Sequence, residues 1–176
     1  MHHDDNNNGQ WVIILVILGF LGVMLLTASC ARIETTPPQT QLFPAPIRTL
    51  AVDYDTALAL SIGWFDAHEA EITEIDHGQN FVEGRFGLSG DDARLDCGSF
   101  QVDTALSQPN LLKIATVRIN LREVFGSHVE ARITVTGSYK ITVIDNYAAR
   151  LISRNGPCLS RGGLEREIFA FLNGPI

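Results

Sequence analysis

Strict alternation of apolar and polar residues is the feature that most constrains this chain. In Ala115-Thr116-Val117-Arg118-Ile119-Asn120-Leu121-Arg122 every odd position is apolar and every even position polar, and Val129-Glu130-Ala131-Arg132-Ile133-Thr134-Val135-Thr136 keeps the same parity. The pattern resumes in Tyr139-Lys140-Ile141-Thr142-Val143. Successive side chains of a strand point to opposite faces, so the pattern requires half-buried strands with one dry face and one wet face. Phe125-Gly126-Ser127-His128 is short enough to close an antiparallel hairpin, and Gly137-Ser138 is expected to mark a bulge or bend in its second arm. An earlier hairpin is expected from Glu71-Ile72-Thr73-Glu74-Ile75-Asp76 and Phe81-Val82-Glu83-Gly84-Arg85-Phe86-Gly87-Leu88, with His77-Gly78-Gln79-Asn80 as its turn.

A sheet with one dry face needs a cover. After a short strand around residues 50–54, Asp55 or Thr56 can cap a helix carrying Ala57, Leu58, Ile62 and Phe65 on one side. Gly63 within it costs ~1 kcal/mol relative to Ala. Leu164, Ile168, Phe171 and Leu172 repeat at helical spacing ahead of Asn173-Gly174-Pro175 and define a last helix. The expected fold class is therefore α+β: an antiparallel sheet of about four or five strands, one or two helices packed on one face, and a hydrophobic segment ahead of them.

That hydrophobic segment covers residues 11–31, which contain no charged side chain, and Val12-Ile13-Ile14-Leu15-Val16-Ile17-Leu18 shows no polar stripe. A helix rising ~1.5 Å per residue crosses a ~30 Å hydrocarbon core in about twenty residues, so the segment is expected to enter a membrane. Its end, Leu26-Thr27-Ala28-Ser29-Cys30, resembles the lipobox of bacterial lipoproteins, where a signal peptide is cut before the cysteine and the thiol carries lipid. Ala28 and Ser29 match the small residues of that motif. Thr27 stands where Leu is usual, the leading residues carry no Lys or Arg, and the apolar run exceeds the ~7–15 residues of most signal peptides. The resemblance implies lipidation at Cys30, and Ala31 in place of an Asp favours the outer membrane. The alternative is an uncleaved transmembrane helix, for which the flanks give little positive-inside asymmetry, Arg32 being close to Glu34. Both readings make membrane lipid a partner and place the folded domain on the periplasmic side.

Residues 32–48 contain Pro37, Pro38, Pro44 and Pro46 and read as a semi-rigid linker. The expected organisation is anchor 1–31, linker 32–48 and extracytoplasmic α+β domain 49–176. With Cys30 assigned to lipid, Cys97 and Cys158 remain, and an even remainder in an exported domain suggests a disulfide. Lipobox-like Cys30, the Pro-rich tether, Asp96-Cys97-Gly98 and Cys158-Leu159-Ser160-Arg161-Gly162 ahead of Leu164-Glu165 together look like bacterial lipoproteins with small α+β domains. The order of helix, antiparallel strands and C-terminal helix is similar to helix-grip domains of outer-membrane assembly lipoproteins. The resemblance implies an exported scaffold or binding domain and carries over no catalytic residue.

Thirteen Lys+Arg against twenty Asp+Glu give a formal net charge of −7, which argues against nucleic acid as a partner. His68-Glu69 lacks the second His of a zinc helix, Ile72 standing at that position. Ser99, His77 and Asp76 lack the Gly-x-Ser-x-Gly elbow of a hydrolase. Ser160-Arg161-Gly162-Gly163 could hold an anion or simply cap the last helix. Asp91, Asp92 and Asp96 do not have the spacing of a calcium loop. No catalytic residue, metal or cofactor is expected. The most informative surface is the wet face of the long hairpin, where Arg118, Arg122, Arg132 and Lys140 lie with Asn120, Glu130, Thr134 and Thr136. Cross-strand ion pairs would account for them, and so would a partner with acidic surface. Three functions compete. One is a non-catalytic, membrane-anchored scaffold or binding domain for envelope proteins. Another is an accessory single-pass subunit of a membrane complex. The last is a small-ligand carrier with a cavity between helices and sheet.

Overall fold

A computed structural model of the chain describes residues 32–39, 45–103, 106–125, 127–146 and 149–174. The chain divides into units of residues 1–32 and 33–176, and every element described belongs to the second. The apolar run of residues 11–31, and with it Cys30, lies outside the described residues. In chain order the elements are β1 (Ile33–Thr36), β2 (Ile47–Leu50), α1 (Tyr54–Ala67), β3 (Glu71–Asp76), β4 (Phe81–Leu88), β5 (Leu95–Asp96), β6 (Ser99–Val102), β7 (Asn110–Val124), β8 (His128–Asp145), β9 (Arg150–Ser160) and α2 (Gly163–Leu172).

The fold is α+β with an antiparallel sheet, but the sheet is larger than the alternation implied. Among the described residues six strands run in the order β3-β4-β7-β8-β9-β5, β2 lies beside β8 as the seventh, and β1 pairs with β6 in a separate ribbon. The excess follows from the length of β8, whose 18 residues have room for two neighbours along one edge. β2 takes residues 129–132 and β9 takes residues 136–145. The segment read as a linker is thus partly structured: Ile33–Thr36 is β1, and Ile47 and Arg48 open β2.

The two expected hairpins form as read. β7 and β8 pair from Val124↔His128 to Asn110↔Thr142, and β3 pairs with β4 across the turn at residues 77–80. The bulge expected at Gly137-Ser138 does not form, since the register runs unbroken through Ala115↔Gly137 and Gly137↔Cys158. Gly137 is there for space: an added Cβ would lie 2.7 Å from Leu95 Cδ1 and 2.9 Å from Cys158 Cβ.

α1 begins two or three residues earlier than expected. Asp53, not Asp55 or Thr56, is the N-cap, and its carboxylate accepts the Thr56 amide at 2.7 Å. α1 buries Ala57, Ser61, Trp64 and Phe65, while Leu58 and Ile62 pack against the margin of the core. α2 buries Leu164, Ile168, Phe169 and Leu172, and Phe171 is turned outward. These two helices cover the dry face of β2, β4, β7 and β8, where Leu50, Val82, Val117, Ile119, Leu121, Val129, Ala131 and Ile133 complete a continuous core. At the other end of the long hairpin, Phe100 of β6 stacks edge-on against Tyr139 of β8, with ring centroids 4.7 Å apart.

Candidate functional site

Helices on one face leave the even-numbered side chains of β7 and β8 facing outward. The register sets Arg118 opposite Thr134, Asn120 opposite Arg132 and Arg122 opposite Glu130. β4 adds Glu83 beside Arg118, and the β3–β4 turn adds Gln79 and Asn80. The result is an open trough of about 730 Å³ with a polar lining from the two hairpins. Arg118, Arg122 and Arg132 all line it; Lys140 shares their face of β8 but sits beyond the trough, opposite Leu112. The contribution of β4 was not apparent from the long hairpin alone, because it depends on which strand neighbours β7.

Charge in the trough is partly internal. Arg118 donates to Glu83 at 2.7 Å and lies 4.1 Å above the Phe81 ring, which fixes the guanidinium in place. Arg122 donates to Glu130 at 2.9 Å. Arg132 and Lys140 are exposed and make no ion pair among the described residues. Three guanidinium groups against two carboxylates leave the lining with one net positive charge on an acidic chain. Arg132, which makes no ion pair among the described residues, with the surrounding hydroxyls and amides of the sheet face, suits recognition of carboxylate-bearing surface.

The remaining candidate groups are engaged in holding the fold. His68 caps α1, stacks on Trp64 and places Nδ1 2.8 Å from the Trp64 carbonyl and Nε2 2.8 Å from Glu167 of α2. Glu167 also accepts from Arg94 at 3.0 Å, and Arg94 grips Asp92 through Nε and Nη2. One polar chain therefore ties α1, α2 and the loop before β5. Asp91 accepts from Ser89, and Asp96 accepts from the Gly98 amide at 2.9 Å. Asp76 accepts two amides of the β3–β4 turn, whereas Ser99 opens β6. At the start of α2, Ser160 accepts the Gly162 amide at 3.0 Å and donates to buried Glu165 at 2.8 Å, so the chain supplies its own carboxylate where an external anion was conceivable. Among the described residues no group of three or more His, Cys, Asp or Glu is placed to hold a metal ion.

The hydrogen bond from Arg94 holds the Asp92 carboxyl below the ordinary carboxylate range, against a smaller opposing effect of burial. With its folded value depressed, the unfolded chain binds more protons in that window, so stability rises with pH there. The contribution is complete above the unfolded value of ~3.9 and is lost as pH falls through the lower folded value. Asp92→Asn is therefore expected to lower the urea midpoint at pH 7, and the gap from wild type should narrow toward pH 3. A constant gap across that range would mean that the Asp92 charge is not what stabilises.

Cys97 and Cys158 form the disulfide expected from the cysteine count, with Cα atoms 4.1 Å apart. It lies at the end of β5, where Gly98 at φ +79° turns the chain away toward β6. An added Cβ there would meet the Thr36 carbonyl oxygen at 1.9 Å. No family model, curated protein or solved structure matches the chain. Among the described residues no helix is long and apolar enough to cross a membrane.

Proposed function

We propose that the chain is a non-catalytic, membrane-anchored periplasmic scaffold or binding domain, attached as a lipoprotein through Cys30, whose open sheet face docks a protein of the envelope. The observation that carries this reading is the asymmetry of the sheet. Helices close one face with a packed apolar core, and the other presents a rigid polar trough containing a guanidinium, Arg132, that makes no ion pair among the described residues. An oxidising compartment agrees with the Cys97–Cys158 bond. A carrier with its ligand between helices and sheet is less well supported, because Trp64, Phe65 and Phe169 fill that space.

Two measurements test the reading. Mass spectrometry of the mature N-terminus should find acylated Cys30; an intact, unmodified N-terminal segment would favour the accessory single-pass subunit. Affinity purification from solubilised membranes should recover a protein with the wild-type chain that is lost with Arg132→Glu. Reversing an exposed charge on a wet sheet face is expected to change stability by less than about 0.5 kcal/mol, so the loss would report on binding. An identical set of co-purified proteins for both chains would remove the trough from the docking surface.

A further inference from the structure

The seven-stranded sheet has two lateral edges, and they are protected unequally. β3 ends one side with a register shift between Ile72 and Glu74 and with carboxylates at Glu71, Glu74 and Asp76, features that discourage a further strand. The other side is β9. There β5 pairs only at Leu95↔Ser160 and Asp96↔Leu159 before the disulfide and Gly98 lead the chain off the edge. Among the described residues nothing pairs with the outer side of β9 ahead of that point.

The direction of its backbone groups follows from two facts. The Arg161 amide donates to the Arg94 carbonyl at 3.1 Å, on the β5 side, so odd-numbered residues of the preceding strand direct their amides and carbonyls outward. Pro157 agrees with this parity, because a proline is tolerated where no ladder bond to β8 is needed. Leu151, Ser153 and Asn155 consequently offer an unpaired row to solvent, and all three side chains are exposed. Leu151 is 69% exposed on one face; Arg150, which donates to Asp145 at 3.3 Å and is otherwise exposed, and Arg154, which makes no ion pair among the described residues, stand on the other.

We propose that the β9 edge is a strand-addition site for an extended protein segment bearing carboxylates four residues apart with apolar residues between them. Main-chain bonds to Leu151, Ser153 and Asn155 would supply affinity. Carboxylates opposite Arg150 and Arg154, and apolar side chains opposite Leu151 and Ile152, would supply selection. A second copy of this chain fits less well, because pairing two β9 edges about Ser153 sets both copies' Arg154 diagonally on one face, like charge near like charge. The site is separate from the trough, so its test does not depend on what the trough binds.

The probe is a fluorescein-labelled, amidated peptide Ser-Glu-Thr-Val-Val-Glu-Ser, titrated into the full-length chain in dodecyl maltoside micelles and read by anisotropy. Saturable binding is expected. Ser153→Pro, which removes an outward amide and no bond to β8, should weaken it at least tenfold, as should Arg154→Glu. Two peptides N-methylated at alternate residues test the same point without altering the protein: one should lose binding and the other keep it. No saturation up to millimolar peptide, or equal binding of both methylated peptides, would overturn the proposal. So would dimerisation of the chain alone that Ser153→Pro abolishes, since the edge would then belong to a second copy.

Discussion

Cys97→Ser, Cys158→Ser and the double substitution are expected to lower the melting temperature by the same amount, roughly 10–15 °C. The bond closes a sequence separation of 61 residues, for which the loss of unfolded-state entropy corresponds to about 4 kcal/mol. For a domain of this size each kcal/mol moves the midpoint by about 2–4 °C. The structure adds a local reason for a large effect. β5 has two register pairs with β9, and the disulfide lies next to them, so its loss also releases the start of the excursion to β6. Calorimetry of the three variants under non-reducing conditions measures this. Losses that add in the double variant would show that the thiols are not partners, because a shared bond can be broken only once.

Trp64→Ala is expected to cost about 3–5 kcal/mol, the range for emptying a large aromatic site in a packed core. Trp64 is fully buried, meets Phe65 and Phe86 edge-to-face at 5.2 and 5.8 Å, and stacks on His68 at 4.4 Å. Removing it undoes both the core contact and the seat of the polar chain that reaches Glu167 of α2. Trp64→Phe should be far milder, below about 1.5 kcal/mol. The indole Nε1 is buried with no hydrogen-bond partner among the described residues, so its deletion relieves a desolvation cost that partly offsets the lost volume. Urea titrations followed by circular dichroism give both values. A Phe variant as unstable as the Ala variant would mean that ring shape, not volume, holds this position.

Legibility differed from element to element. β7 and β8 were readable because both faces of a half-buried strand are recorded in parity. That same parity argued against the bulge at Gly137-Ser138, since one inserted residue would have moved Tyr139, Ile141 and Val143 to the wet face. All three are buried, and Gly137 proves to be a point of close approach. β9 was not readable. Arg-Leu-Ile-Ser-Arg-Asn-Gly-Pro-Cys-Leu-Ser has turn composition, and its strand geometry is imposed from outside by ten register pairs with β8. α2 was located correctly, but Phe169 rather than Phe171 faces the core, a choice that helical spacing alone could not make. The candidate face was readable as a stripe of Arg118, Arg122, Arg132 and Lys140. Its shape was not, because Glu83, Gln79 and Asn80 arrive from a different hairpin.

By itself the sequence determined the α+β class, the two hairpins and the polar stripe, since each is written in local periodicity; it suggested the pairing of Cys97 with Cys158 only once Cys30 was assigned to lipid, and the structure brings those two sulfurs together. Only the tertiary structure decided the seven-strand order, the division of one edge of β8 between β2 and β9, the concavity of the trough and the edge of β9 left without a partner among the described residues. The physical reason is common to all four. Local patterns state which side of a strand is dry, whereas neighbours and edges are settled by backbone hydrogen bonds, which every residue type except proline can both donate and accept and which no side-chain pattern encodes.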